Sequence, residues 1–156
     1  MTDSSSKSEA AWPGEERREP RIGDSAYLIH REITKSLKSA RDQYLRPDIR
    51  VLDVGCGVQP YFPFFADLAS EYAGNDVEPG PRITYVSYAE SLPIEPARYD
   101  LVLCTQVLEH VRRPMLALGE ISRVLKPGGY LLLGHSESLA QTGLKFGFLH
   151  SLSPSR

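Results

Sequence analysis

Cysteine, tryptophan and methionine are scarce in this sequence: 156 residues hold two, one and two of them. The cysteines, Cys56 and Cys104, fall in no CxxC or other metal-ligand spacing, which argues against a disulfide framework or a zinc module. Their usage is that of reduced thiols in a cytoplasmic protein. Long apolar runs are missing too. None approaches the ~20 residues a membrane-spanning helix needs. The opening MTDSSSKSEA has no apolar stretch of the kind a secretory signal requires. Neither charge dominates, with 18 Lys+Arg against 20 Asp+Glu, so there is no strong nucleic-acid signal. What is present is an apolar fraction of 41% and enough chain for one domain with a real core.

Residues 1–23 differ from the rest, with four serines, two prolines, two glycines and nine charges around a single large aromatic, Trp12. Such a stretch buries too little apolar surface to offset its ordering entropy, and the expectation is a disordered tail. The alternative is a docking arm anchored by Trp12. From Asp24 or Ser25, either of which can cap a helix, apolar residues recur at Leu28, Ile29, Ile33, Leu37, Ala40 and Tyr44. That spacing predicts an amphipathic helix closed before Pro47.

Short apolar runs follow, separated by helical or turn segments. Strands are expected at 51–54, 71–76, 83–87, 99–105 and 130–133, with Pro60 opening a first crossover helix. A second helix carries Leu118, Ile121, Val124 and Leu125 and ends at the turn Lys126-Pro127-Gly128-Gly129. Strands apolar on both faces and alternating with helices imply a parallel sheet covered on two sides. The expected fold class is α/β, a Rossmann-like doubly wound sheet. Its domain spans 24–156, with a core at 48–134 and an atypical short segment at 135–156.

The sharpest local signal is Val51-Leu52-Asp53-Val54-Gly55-Cys56-Gly57-Val58-Gln59-Pro60, a strand running into a glycine turn. Gly55 and Gly57 let the backbone turn tightly and approach a ligand. Nineteen residues beyond Gly57 stands Asp76, an offset at which an acid in nucleotide-binding α/β folds accepts ribose hydroxyls. A dinucleotide fingerprint wants a third glycine where Pro60 stands, and Asp53 would repel pyrophosphate. The same acid suits a cationic ligand, such as an amino group or a sulfonium, so a nicotinamide-dependent oxidoreductase is disfavoured.

VLDVGCG (51–57), YAGNDVEP (72–79), YDLVLCTQVLEHV (99–111) and ISRVLKPGGYLLL (121–133) occur together, with AESLP (89–93) as a weaker fifth segment. In order and spacing they resemble the class I S-adenosylmethionine-dependent methyltransferases, in particular the methyltransferase-11-like group. The resemblance implies parallel strand order 3-2-1-4-5 and S-adenosyl-L-methionine as cofactor. It implies Asp53, Gly55 and Gly57 at the methionine end, Asp76 on the ribose, and Val77 beside the adenine. Ala89 and Glu90 would follow the adenine wall, and Gln106 would flank the methionine. The implied reaction is methyl transfer to a small or medium-sized acceptor. Two positions depart from the family. Gln59 replaces its last loop glycine and is expected to crowd or reshape the pocket, and Tyr88 stands where an Asp often meets the adenine amino group. The family sheet also continues past strand five, whereas 22 residues follow Gly134. The expectation is therefore a domain truncated after strand five, with at most one short edge strand within 144–149. The rival reading is an inactive methyltransferase-like module that binds cofactor or a partner, with homodimerisation through the exposed edge of strand five.

Methyl transfer from a sulfonium needs positioning and sometimes a base. His110, after strand four at the ligand-binding edge of the sheet, is the base candidate. The competing reading is a histidine packed locally at a helix start. Glu109 and His110 do not make a metal site, because no second His/Glu pair completes one. Tyr27 and Arg31, on the first long helix, are placed to close over the cofactor, with Arg31 toward its carboxylate. A solvated helix face is the alternative.

Overall fold

The computed structural model describes residues 12–134 and 149–150. A short helix α1 (Glu15–Arg18) and a long helix α2 (Tyr27–Tyr44) precede the sheet. The strands are β1 (Ile49–Val54), β2 (Ala69–Asp76), β3 (Tyr85–Val86), β4 (Tyr99–Thr105), β5 (Leu125–Gly134) and β6 (Leu149–His150). Helix α3 (Pro114–Val124) joins β4 to β5. The sheet order is β3-β2-β1-β4-β5-β6. The first five strands are parallel, which is the Rossmann-like order 3-2-1-4-5.

Alternation along the central strands explains the two-sided core. Leu52, Val54, Val102 and Cys104 face α3, where they meet Ala117, Ile121 and Val124. Val51, Leu101 and Leu103 face the other way, onto Ile33, Leu37 and Ala40 of α2 and onto Tyr61 and Phe65. A strand wetted on neither side must be apolar at every position, and β1 and β4 satisfy this almost throughout.

Several local expectations are corrected. Residues 12–18 are ordered against the domain, because Trp12 and Arg18 find ring and carbonyl partners on the segment after β1. A disordered tail therefore does not describe that part of 1–23, and 1–11 lie outside the described residues. Helix α2 begins two residues later than a cap at Asp24 would give, since the Asp24 carboxylate instead accepts the Arg21 N–H at 2.7 Å. The first crossover holds only a 3-10 turn, Phe62–Phe64. Pro63 lacks an N–H, and the neighbouring amides of Phe62, Phe64 and Phe65 bond three residues back, to Gln59, Tyr61 and Phe62. The Lys126–Gly129 turn lies inside β5 as a bulge, with Gly128 at φ 80° and a register shift opposite Tyr99–Leu101.

The fifth-strand edge is not open along its length. β6 pairs antiparallel to it, Tyr130 with His150 and Leu131 with Leu149. Among the described residues no helix is long and apolar enough to cross a membrane.

Candidate functional site

Parallel strands bring their carboxyl ends to one edge. Val54 is level with Asn75 on one side and Cys104 on the other, so Gly55 emerges between Asp76 and the segment Thr105–Gln106. A cavity of about 680 Å³ opens there, within the usual range of small-molecule sites. Of the residues expected at the site, Gly55, Asp76, Val77, Ala89, Glu90, Gln106 and His110 line it. Asp53 and Gly57 do not. A second cavity of about 330 Å³, between α2 and the ends of β4 and β5, contains none of these residues.

The glycine turn is built from left-handed residues. Gly55, Gly57 and Gln59 have φ of 63°, 51° and 54°. At Gly55 a Cβ would stand 2.3 Å from Val107 Cγ2, so the turn passes this wall with no room for a side chain. Gly57 donates its N–H to Asp76 Oδ2 at 2.9 Å, and Asp76 Oδ1 accepts the Val77 N–H at 2.8 Å. The acid thus locks the turn while it faces the cavity.

Gln59 does not crowd the pocket as expected. Its side chain is 95% removed from solvent and donates to the Arg82 carbonyl at 2.9 Å, on the far side of β2. Gly74 makes the space, since a Cβ there would meet Gln59 Nε2 at 2.6 Å.

Asp53 lies beneath the turn, 1% exposed, and accepts a hydrogen bond from the Tyr72 hydroxyl at 2.9 Å. Burial raises its carboxyl to about 7; the Tyr72 bond and the Arg17 charge oppose that rise, and Asp76 adds to it. Burial likewise pushes the Cys104 thiol up to about 12 and the Cys56 thiol higher still. Neither is a ready thiolate.

His110 sits at the cavity mouth with its side chain 77% exposed, 3.4 Å from the Glu109 carboxylate. Tyr88 is 72% exposed, and the acid of this wall is Glu90, one of whose oxygens, Oε2, is buried without a partner. Arg31 pairs with Glu32 at 2.9 Å rather than standing free. Sequence reasoning missed Arg112 and Arg113 on the cavity rim, and it missed His30. His30 is held below its ordinary value by burial and Arg17, against Glu16, Asp24 and a polar contact with Gln106. No motif marks these residues. Trp12 was the one signal for α1, as the lone large aromatic of its segment.

The family model described as a methyltransferase domain matches residues 52–133. A ubiquinone biosynthesis O-methyltransferase of Leptothrix cholodnii is 35% identical over 101 residues, covering 54% of this chain and 43% of that relative. The chain spans less than half the length of the curated relatives it matches. Among solved structures, the YcgJ protein of Bacillus subtilis aligns with TM-score 0.57 at 26% identity, over 67% of this chain and 50% of that one. The [4+2]-cyclase SpnF aligns with TM-score 0.57 at 28% identity, over 73% and 48%. With the family model covering more than half of its residues, and the glycine turn, the Asp76 lock and the strand order 3-2-1-4-5 all in place, the chain belongs to the methyltransferase domain family.

Proposed function

We propose that this chain binds S-adenosyl-L-methionine in the cavity at the carboxyl edge of the sheet and transfers its methyl group to a small or medium-sized acceptor. The observation that carries the reading is the convergence of Gly55, Asp76 and Glu90 on one cavity. The residues fit the cofactor. Gly55 leaves a wall too close for any Cβ, and Asp76 lines the cavity with a carboxylate able to accept ribose hydroxyls. Glu90 Oε2 is a buried acceptor without a donor, which suits the adenine amino group or a hydroxyl.

In this reading Val77, 50% exposed, flanks the adenine with Ala89, and Gly55 and Gln106 border the methionine end, with Gly57 behind them in the turn that Asp76 holds. When bound, the cofactor supplies an electrophilic methyl group on a sulfonium. Asp53 stands under that end as a proton-holding carboxyl that a nearby cation would ionise, giving a counter-charge. His110 is the accessible base for an acceptor proton at the cavity mouth. The relatives named for O-methyl transfer support an oxygen acceptor.

A second reading is a module that binds cofactor or a partner without turnover. It is favoured by a structural neighbour at 28% identity that is described as a [4+2]-cyclase, a reaction other than methyl transfer. Calorimetric titration with S-adenosylmethionine and S-adenosylhomocysteine, beside Asp76→Ala, tests the site. Transfer of labelled methyl to a panel of phenolic and amine acceptors then separates the two readings. Micromolar binding lost in the variant supports the cofactor site, and binding without transfer supports the module. A folded chain that binds neither compound refutes both cofactor-dependent readings.

A further inference from the structure

The segment 12–18 crosses the glycine turn and is fastened to it by Trp12 and Arg18. Trp12 Nε1 donates to the Gln59 carbonyl at 2.8 Å, and its ring stacks on Phe62 with centroids 4.3 Å apart. The Arg82 guanidinium lies 4.5 Å from the same ring. Arg18 reaches three carbonyls, those of Trp12 at 2.8 Å, Pro13 at 2.7 Å and Pro60 at 2.6 Å. Two belong to the segment and one to the turn, so the planar fork joins them. Gly14, at φ 76°, permits the approach, because a Cβ there would stand 2.6 Å from Pro60 Cβ. On the other side Thr34 Oγ1 of α2 donates to the Arg17 carbonyl at 3.0 Å.

The Pro60 carbonyl needs such a donor, whereas the Gln59 carbonyl also accepts the Phe62 N–H. The crossover continues as a 3-10 turn rather than a helix, so the Pro60 carbonyl lacks a following helical amide. Gln59, beside it, holds a left-handed φ that a non-glycine residue keeps only when its surroundings over-determine it. A contact chain also runs inward. Phe62 meets Tyr72 edge-on at 5.2 Å, and Tyr72 donates to Asp53.

We propose that Trp12 and Arg18 are positioning residues for ligand binding: they hold turn 55–60 from its outer side in the shape that faces the cavity. The inference rests on the reading of that turn as part of the cofactor site. Trp12 is the chain's single tryptophan, so its emission reports on the strap alone. Titration of the wild-type chain with S-adenosylhomocysteine changes Trp12 emission with the same midpoint as the calorimetric isotherm. Trp12→Phe keeps the stack and loses the N–H donor. Arg18→Lys keeps the charge and loses the fork. Each weakens calorimetric affinity about 3- to 10-fold, the worth of one hydrogen bond, while unfolding stays cooperative.

Folded variants with wild-type affinity overturn the inference and leave the cofactor reading intact. If neither variant folds, wild-type emission decides: a saturating change supports positioning, and unchanged emission in ligand-saturated protein marks the strap as purely structural and overturns it. Failure of the wild-type chain to bind overturns the cofactor reading itself, and the inference with it.

Discussion

Asp76 accepts the Gly57 backbone N–H at 2.9 Å, so the acid that ends β2 is also the clasp of the turn that ends β1. In the proposed cofactor reading that carboxylate has two duties, fixing the loop and meeting the ligand. Asp76→Asn keeps an acceptor oxygen but loses the charge. Hydrogen bonds to charged groups contribute about 1.5–3 kcal/mol, so the expected loss of S-adenosylhomocysteine affinity is roughly 10- to 100-fold. Asp76→Ala loses more, because the turn is released as well. Calorimetry on both variants checks the order. Equal affinities for wild type and Asp76→Asn would exclude a ribose role.

Gly55 and Val107 form the tightest wall of the site. Gly55→Ala places a methyl 2.3 Å from Val107 Cγ2 at a backbone φ of 63°. A left-handed alanine costs about 1–2 kcal/mol and overpacking about 1–3 more. The expected destabilisation is therefore ~2 kcal/mol or greater in urea unfolding. Val107→Ala in the same chain removes the clash but not the strain, so the double variant recovers part of the loss. Additive effects of the two changes would show that the wall relaxes by another route.

How much of this was readable beforehand follows from the range of the interactions. Val51–Val54 and Tyr99–Thr105 announce buried parallel strands because burial on both faces leaves a continuous apolar run. Gly55 and Asp76 were legible as residues of the strand-end cavity because a tight turn and the acid that clasps it constrain residue type at a fixed spacing. The aromatic stretch at 61–65 misled, since the composition suits a helix, while Pro63 denies one amide and leaves a single 3-10 turn. Trp12 and Arg18 were hidden for another reason. Their partners, Gln59 and Pro60, lie over 40 positions away, and the contacts are to backbone carbonyls that carry no sequence signature. His110 was readable as a residue at the ligand edge, but its exposure was not, because local spacing does not say which way a loop side chain turns.

Gln59 tests whether the family's missing glycine matters. Its left-handed backbone costs about 1–2 kcal/mol relative to glycine, and its buried bond to the Arg82 carbonyl returns about 0.5–1.5 kcal/mol. Gln59→Gly is therefore expected to leave stability within about 1 kcal/mol of wild type. Its side chain faces Gly74 rather than the cavity, so cofactor affinity should change less than about threefold. A large gain in affinity would mean that the glutamine does obstruct the site.

Asp53 makes stability depend on pH. In the unfolded chain its carboxyl ionises near ~3.9. In the folded protein burial raises it to about 7. Between those values the folded state keeps a proton that the unfolded state has released. The contribution is therefore fully present below about pH 4 and is lost as pH rises through 7, at up to ~1.4 kcal/mol per pH unit. Asp53→Asn keeps an acceptor for the Tyr72 hydroxyl and removes the titration. Urea midpoints of wild type and Asp53→Asn should then diverge in the variant's favour from pH 4.5 to pH 7.5. A cationic ligand above the turn favours the ionised carboxyl. Binding of S-adenosylmethionine at pH 6 should release up to one proton, read as a dependence of calorimetric heat on buffer ionisation enthalpy, and that dependence should vanish in Asp53→Asn. Parallel stability profiles for the two proteins would show that the buried carboxyl is already ionised, and the counter-charge would then be present before the ligand arrives.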